Sequence, residues 1–307
     1  MRKASWIVLT EALLILLPSI AQPEDWPQWR GLNRDGTSAE TGLLKQWPEG
    51  GPPLIWSVDG IGKGYSSISV AGGTAYATGM VGSTGYVFAF GSDGLLQWCS
   101  AYGPEWLRGY GGPRSTATID SGKAYVFTAH GPLVCLDART CELIWPLDTA
   151  QEFQAKKVVH GICENALIAG DLAICTPGGP GASVIAVNKH TGKLAWQTKD
   201  LSEQPGYNST LLIQSVGKPV VVALTAGSLV GLDAETGSIR WRHTYDEKGQ
   251  AWPCAIKTKL RVSRHKETPV LQCSMFVFPF FSYSPILPLS HSTTPPLSAS
   301  SSSPTSP

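Results

Sequence analysis

The 307-residue chain carries 24 Lys and Arg against 23 Asp and Glu, a formal net charge of +1, with 15% charged residues, 33 glycines and 11 tryptophans. Near-neutrality excludes the electrostatic footprint of a nucleic-acid or anionic-membrane binder. The charge-poor, Gly- and Trp-rich composition points to an all-β chain of turns and aromatic anchors rather than one of long surface helices.

At the N-terminus Arg2 and Lys3 precede an apolar stretch from Trp6 to Leu17, interrupted by Thr10 and Glu11, then Pro18, Ser19 and Ala21. This is the layout of a secretory signal over residues 1–21, cleaved after Ala21. The apolar run is shorter than the roughly 20 residues that span a bilayer. The expectation is a periplasmic or secreted protein with no membrane span after cleavage. Losing Arg2, Lys3 and Glu11 takes the formal charge from +1 to 0, and no nucleic-acid partner is expected. Residues 22–53 form a lead segment before the repeats.

From residue 54 to 249 the chain repeats. Four segments align: Val70 to Tyr76, Ile119 to Tyr125, Ile168 to Ile174 and Val216 to Val222, with starts 49, 49 and 48 residues apart. Each reads as a short apolar strand, a turn and a second apolar strand, the signature of a hairpin. A second motif follows each hairpin: Leu136-Asp-Ala-Arg-Thr-Cys-Glu-Leu-Ile-Trp145, Val187-Asn-Lys-His-Thr-Gly-Lys-Leu-Ala-Trp196 and Leu232-Asp-Ala-Glu-Thr-Gly-Ser-Ile-Arg-Trp241, with a degenerate first copy from Phe90 to Trp98. Asp137 and Asp233 are expected to close turns by accepting backbone N–H bonds, and Gly192 and Gly237 to take a positive φ. Cys141 stands where the glycine belongs, so that turn is expected to be strained or differently shaped. Trp98, Trp145, Trp196 and Trp241 recur once per unit and are expected to dock between neighbouring units. Four strands per unit of nearly fifty residues describe a β-propeller of four-stranded antiparallel blades, with about four blades present.

Cysteines stand at Cys99, Cys135, Cys141, Cys163, Cys175, Cys254 and Cys273, with no C-x-x-C and no adjacent pair, which excludes the common zinc, thioredoxin-like and haem-attachment signatures. Cys163 and Cys175 flank a predicted hairpin, where a disulfide is one option and two buried thiols the other. Candidate ligand-facing residues sit in irregular segments before successive hairpins: Arg114, His160, and Tyr207 with Asn208, which would converge around the propeller axis. The competing reading makes them polar caps of strand ends. Trp106 lies outside the tryptophan period and is the aromatic best placed to face a ligand. His130 reads as a loop residue, not a base.

After Gly249 the character changes: residues 250–307 contain no Gly and no Asp and end in Ser, Pro and Thr. No fifth hairpin is expected there. The tail is read as disordered or as the product of a shifted reading frame.

The D-x-x-T-G-x-x-x-W motif resembles the tryptophan-docking motif of pyrroloquinoline-quinone (PQQ) propellers. Asp25-Trp-Pro-Gln-Trp-Arg-Gly31 and Asn33-Arg-Asp-Gly36 resemble the lead of their exported bacterial members. The resemblance covers roughly Asp25 to Tyr245 and implies a ring of seven or eight blades, of which four are an incomplete set. PQQ dehydrogenases hold the quinone and Ca²⁺ in a central funnel through carboxylate and amide oxygens, with an Asp base. Matching ligands are not placed here, so no cofactor is assignable unless the dehydrogenase reading holds. The leading expectation is a non-catalytic exported propeller acting as a binding or assembly platform for protein partners or a small molecule. The alternative is a remnant of a PQQ-dependent alcohol dehydrogenase. An open four-blade stack also leaves edges through which it could self-associate.

Overall fold

The computed structural model describes residues 24–155, 158–214, 217–244, 260–265 and 268–273. The predicted signal segment, Cys254 and most of the Ser/Pro-rich tail lie outside them. Four sheets of four antiparallel strands form in chain order: β1(Ser69–Ala71) to β4(Leu96–Pro104), β5(Thr118–Asp120) to β8(Leu143–Asp148), β9(Leu167–Ala169) to β12(Leu194–Gln197), and β13(Leu211–Gln214) to β16(Ile239–Thr244). Each is an up-and-down meander, the strand order of a propeller blade. One four-residue helix, α1(Thr149–Glu152), follows the second blade, capped by the Asp148 carboxylate accepting from Gln151 N.

The apolar patterning of the second and third blades is two-sided, because each is covered by a neighbouring blade on both faces. One core joins Tyr76, Val87 and Ala89 of the first blade to Ala124, Val126 and Leu136 of the second. The next joins Tyr125, Phe127 and Leu133 to Ala173, Cys175 and Ile185, and a third joins Ile174, Ala186 and Trp196 to Val221, Val230 and Leu232. Removing apolar surface between blades supplies about 25 cal/mol per Å². Long-range pairing between blades is therefore side-chain packing, not strand pairing.

The periodic tryptophans lock these contacts. In every outer strand the register slips just before the Trp: Ala89 faces Trp98, Cys135 faces Trp145, Ala186 faces Trp196 and Gly231 faces Trp241, while Gln97, Ile144, Ala195 and Arg240 are skipped. A bulge re-aims the following side chain, and the small residue opposite leaves room for the indole. Trp98 Nε1 then donates to Ala138 O (3.1 Å), Trp145 Nε1 to Lys189 O (3.1 Å) and Trp196 Nε1 to Ala234 O (3.0 Å). Each acceptor is the residue after the Asp or Asn of the next blade's turn. Those turns are shaped as the side-chain chemistry demands: Asp137 Oδ1 accepts from Arg139 N and Thr140 N, and Asp233 Oδ1 from Glu235 N and Thr236 N. Gly192 and Gly237 both have φ +71°, and a Cβ there would come within 2.8 Å of Trp145 and 2.4 Å of Trp196. Cys141 adopts the same left-handed backbone at φ +62°.

The lead crosses several blades. Trp26 bridges to Val70, Pro27 O accepts from Ile119 N (2.7 Å), and Asp25 Oδ1 accepts from Gly72 N (2.9 Å). Arg34, 3% exposed, reaches the axis, where its guanidinium donates to Asn165 O, Ala166 O and Thr210 O at the entrances of the third and fourth blades. At the same level Ser67 N donates to Thr116 Oγ1 (2.9 Å) and Asn165 N to Ser209 Oγ (3.0 Å), so equivalent positions of successive blades are tied by one repeated bond.

One expectation is corrected and one open choice is decided. A fifth hairpin exists: β17(Leu260–His265) pairs antiparallel with β18(Thr268–Cys273). Its start lies 49 residues after that of β13, at 260 against 211. The intervening Lys266 and Glu267 carry no turn glycine or aspartate, so a search for such turns passes over it. Of the two options for Cys175, the structure has the free thiol, buried in the core between the second and third blades. Burial pushes its pKa up, and the Cys163–Cys175 disulfide is not formed.

Candidate functional site

Antiparallel order sends the docking turns to one face of the arc. The β2–β3 and β6–β7 turns and the chain leaving β4 and β8 go to the other. On that second face the linkers enclose a cleft of about 960 Å³. Its wall is mainly apolar, with Trp106, Val158, Val159 and Ile162 as the large side chains and Glu105 and His130 among the polar ones.

Trp106 forms part of the cleft wall. Its backbone N donates to Glu105 Oε1 (2.7 Å), its ring lies 5.4 Å from that of His130, and the Arg114 guanidinium carbon sits 5.8 Å above it. Gly161, at φ +72°, lets the neighbouring linker approach: a Cβ there would lie 3.1 Å from both the Trp106 ring and Ala129. Glu105 is 2% exposed, and its other oxygen accepts from Tyr102 Oη at 2.7 Å. Burial and the adjacent carboxylate push the Tyr102 phenol well above its usual range. With one donor on each oxygen, Glu105 is held in place and in turn positions the Trp106 backbone.

Of the sequence candidates, Trp106 lines the cleft. Arg114 stacks on it but spends its guanidinium N–H groups on its own loop, donating to Gly112 O (2.7 Å) and Tyr110 O (2.6 Å). His160 and Tyr207 meet each other, with ring centroids 5.8 Å apart, and Asn208 Oδ1 accepts from Ser209 N (2.9 Å). None of His160, Tyr207 and Asn208 lines the cleft. His130, read from sequence as a loop residue, does line it.

The described residues hold a second buried carboxylate, within electrostatic reach of the buried Arg34 guanidinium. Glu164, 1% exposed, accepts from Thr176 N (2.9 Å) and Thr176 Oγ1 (3.1 Å). Burial raises its pKa to about 8, against the opposing pull of these bonds and of Arg34. Arg34 itself is lowered to about 10 by burial, offset in part by Glu164. Both groups are buried, and neither lines the cleft.

The Ca²⁺ and quinone that the resemblance implies can be tested against these side chains. Ca²⁺ takes six to eight oxygen ligands, usually with several carboxylates. Among the described residues no group of three or more His, Cys, Asp or Glu is arranged to hold a metal, and the one buried carboxylate of the cleft is committed. The described residues do not fit such a centre.

Comparison with known proteins agrees with the fold. The family model described as "Outer membrane protein assembly factor BamB" matches residues 83–278, more than half of the chain. Quinoprotein ethanol dehydrogenase of Pseudomonas aeruginosa is 30% identical over 162 residues, 49% of this chain and 25% of that protein. The same-named enzyme of Pseudomonas putida is 28% identical over the same coverage. The chain spans about a quarter of the length of these curated relatives. The quinohemoprotein alcohol dehydrogenase structure from Comamonas testosteroni superposes with a TM-score of 0.52 at 17% identity, covering 72% of this chain and 41% of that one.

Proposed function

This chain belongs to the propeller family of the outer membrane protein assembly factor BamB, and from that premise we propose that it is a non-catalytic exported platform that binds a partner through the Trp106 cleft. The observation that supports this reading is the cleft itself, a mainly apolar wall that includes one indole whose neighbouring carboxylate is held by Tyr102 and the Trp106 backbone. Such a surface recognises apolar and aromatic groups by burial and stacking. Arg108 and His130 at its margin favour an acidic group on the same partner. An exported setting follows from the signal layout of residues 1–21.

A suitable probe is 8-anilinonaphthalene-1-sulfonate, which is aromatic and anionic. It is expected to bind the folded protein, and Trp106→Ala to weaken that binding about tenfold, or about 1.4 kcal/mol. Equal affinity in the variant refutes the cleft as the site. The dehydrogenase reading is favoured by the 30% identity to a quinoprotein ethanol dehydrogenase. Its test is titration with PQQ and Ca²⁺ followed by dye-coupled ethanol oxidation: turnover would replace the platform reading.

A further inference from the structure

The linker between the first two blades carries a second aromatic group beyond the cleft. Trp106 lines the cleft, and four residues later Tyr110 stands 61% exposed. Its ring meets that of Tyr65, itself 59% exposed, edge to face at 5.8 Å between centroids. Neither tyrosine lines the cleft.

The two rings are exposed, but the backbone that carries them is fixed. Tyr65 N donates to Pro113 O (2.7 Å), Gly112 N to Trp106 O (2.8 Å), and Lys63 and Met80 exchange two backbone bonds (3.0 and 2.7 Å). Gly112, at φ +107°, lets the two segments close on each other, since a Cβ there would fall 2.5 Å from Lys63 O. Arg114 completes the frame: its guanidinium donates to Tyr110 O and Gly112 O while lying over the Trp106 ring. The arginine read from sequence as ligand-facing is therefore a strut that ties the cleft wall to the tyrosine pair.

Tyrosine offers a large contact area with only two χ angles to order on binding, and a pre-fixed backbone removes much of the remaining cost. An edge-to-face pair forms a notch that takes an apolar or aromatic side chain, not the flat platform on which a sugar ring stacks. The charge around it has one sign. Residues 60–68 and 106–114 contain Lys63, Arg108 and Arg114 and no acidic residue. Arg114 is spent on carbonyls, whereas Lys63 and Arg108 are exposed and make no ion pair among the described residues.

We propose that the Trp106 cleft and the Tyr65–Tyr110 notch are one interaction surface for a polypeptide partner: an extended acidic segment that seats one apolar or aromatic side chain in the cleft and a second in the notch, with its carboxylates toward Lys63 and Arg108. The proposal rests on the reading of the cleft as a binding site and adds the class of partner and a second anchor. Two linked anchors bind more tightly than either alone, so such a segment gains from the notch what a small aromatic anion confined to the cleft does not.

The test selects a phage-displayed random peptide library on the full chain and measures the enriched peptides by fluorescence anisotropy, beside 8-anilinonaphthalene-1-sulfonate as the cleft probe. Enriched sequences are expected to carry two apolar or aromatic residues separated by Asp or Glu. Tyr110→Ala and Tyr65→Ala should each weaken peptide binding about tenfold while leaving the affinity for the small probe unchanged, which also shows that the variants are folded. Lys63→Glu should weaken the peptide about tenfold, and added salt should weaken it in the parent protein. Trp106→Ala should weaken both ligands. Failure to enrich any peptide, enrichment of peptides without acidic residues, binding indifferent to Tyr110→Ala, or equal loss of both ligands in that variant each overturns the proposal while the cleft reading stands. A small probe indifferent to Trp106→Ala refutes the cleft reading, and the proposal with it.

Discussion

Gly237→Ala tests the docking geometry at one atom. Gly237 and Gly122 share almost the same backbone, at φ +71° and +73°, but a Cβ at Gly237 would lie 2.4 Å from the Trp196 ring whereas one at Gly122 meets nothing within 4 Å. The left-handed backbone costs a non-glycine residue about 1–2 kcal/mol. Alanine returns about 0.4–1 kcal/mol by restricting the unfolded chain. Gly122→Ala is therefore expected to destabilise by roughly 1 kcal/mol or less. Gly237→Ala carries the same balance plus overpacking of about 1–3 kcal/mol, and about 1 kcal/mol more if the Trp196 to Ala234 hydrogen bond breaks. The expected gap is about 2 kcal/mol or more. Urea unfolding followed by far-UV circular dichroism and tryptophan fluorescence measures it on one protein background. Equal midpoints for the two variants would refute the view that the turn glycine exists to seat the neighbour's indole.

Cys141→Gly should move stability the other way, by about 0.5–1 kcal/mol, since glycine relieves the strain at φ +62° while giving back some unfolded-state entropy; a lower urea midpoint would contradict this. Glu164 gives a pH signature. Its folded pKa of about 8 lies above the ordinary 4.5, so the folded state binds the proton more tightly. The stabilisation is complete below about pH 4.5 and declines as pH rises through 8. Glu164→Gln keeps an acceptor for Thr176 N and a donor for Thr176 Oγ1, and should flatten the slope of stability between pH 5 and 8 relative to the parent, read from thermal midpoints. Arg34→Met leaves three buried carbonyls, those of Asn165, Ala166 and Thr210, without their donor. Three buried acceptors left at about 1–3 kcal/mol each predict a loss of about 3 kcal/mol or more in denaturant titration, and a change below about 1 kcal/mol would show that the lead is not what fastens these blades.

Blade architecture was legible because its determinants are local and repeated. The Asp137 and Asp233 turns, the glycines after them and the tryptophans that follow are written within ten residues of one another. Each makes its decisive bond one repeat away, at separations of 38 to 44 residues for Trp98, Trp145 and Trp196. Arg34 was hidden: its partners lie 131, 132 and 176 residues away, and nothing in Asn33-Arg-Asp-Gly36 distinguishes an axial plug from a solvated loop arginine. The linkers were harder still. Arg114, His160 and Tyr207 stand at equivalent points of the repeat, but linker conformation, not repeat position, decides where their side chains point. Arg114 folds back on its own carbonyls, while His130 is carried to the cleft by the β6–β7 turn.

The separation of the two faces explains how one scaffold holds both rigid docking and a variable site. Docking turns, with their Asp and Gly constraints, occupy the face of the β3–β4 type connections, and the cleft is built from the opposite connections. Between them run the buried strands, with Val87, Val126, Val187 and Leu232 fully enclosed. A change in a linker therefore leaves the indole slots untouched, and side chains such as Trp106 can be exchanged without altering blade spacing. Stability is correspondingly a sum of blade interfaces in series. Trp106 and Gly237 lie on opposite faces and share no hydrogen-bond or ring partner, so the effects of substituting them should add. Trp106→Ala combined with Gly237→Ala should show a destabilisation equal to the sum of the two within about 0.5 kcal/mol. A larger departure would mean that the linkers transmit strain to the docking face, and that the cleft and the interblade contacts are one cooperative element.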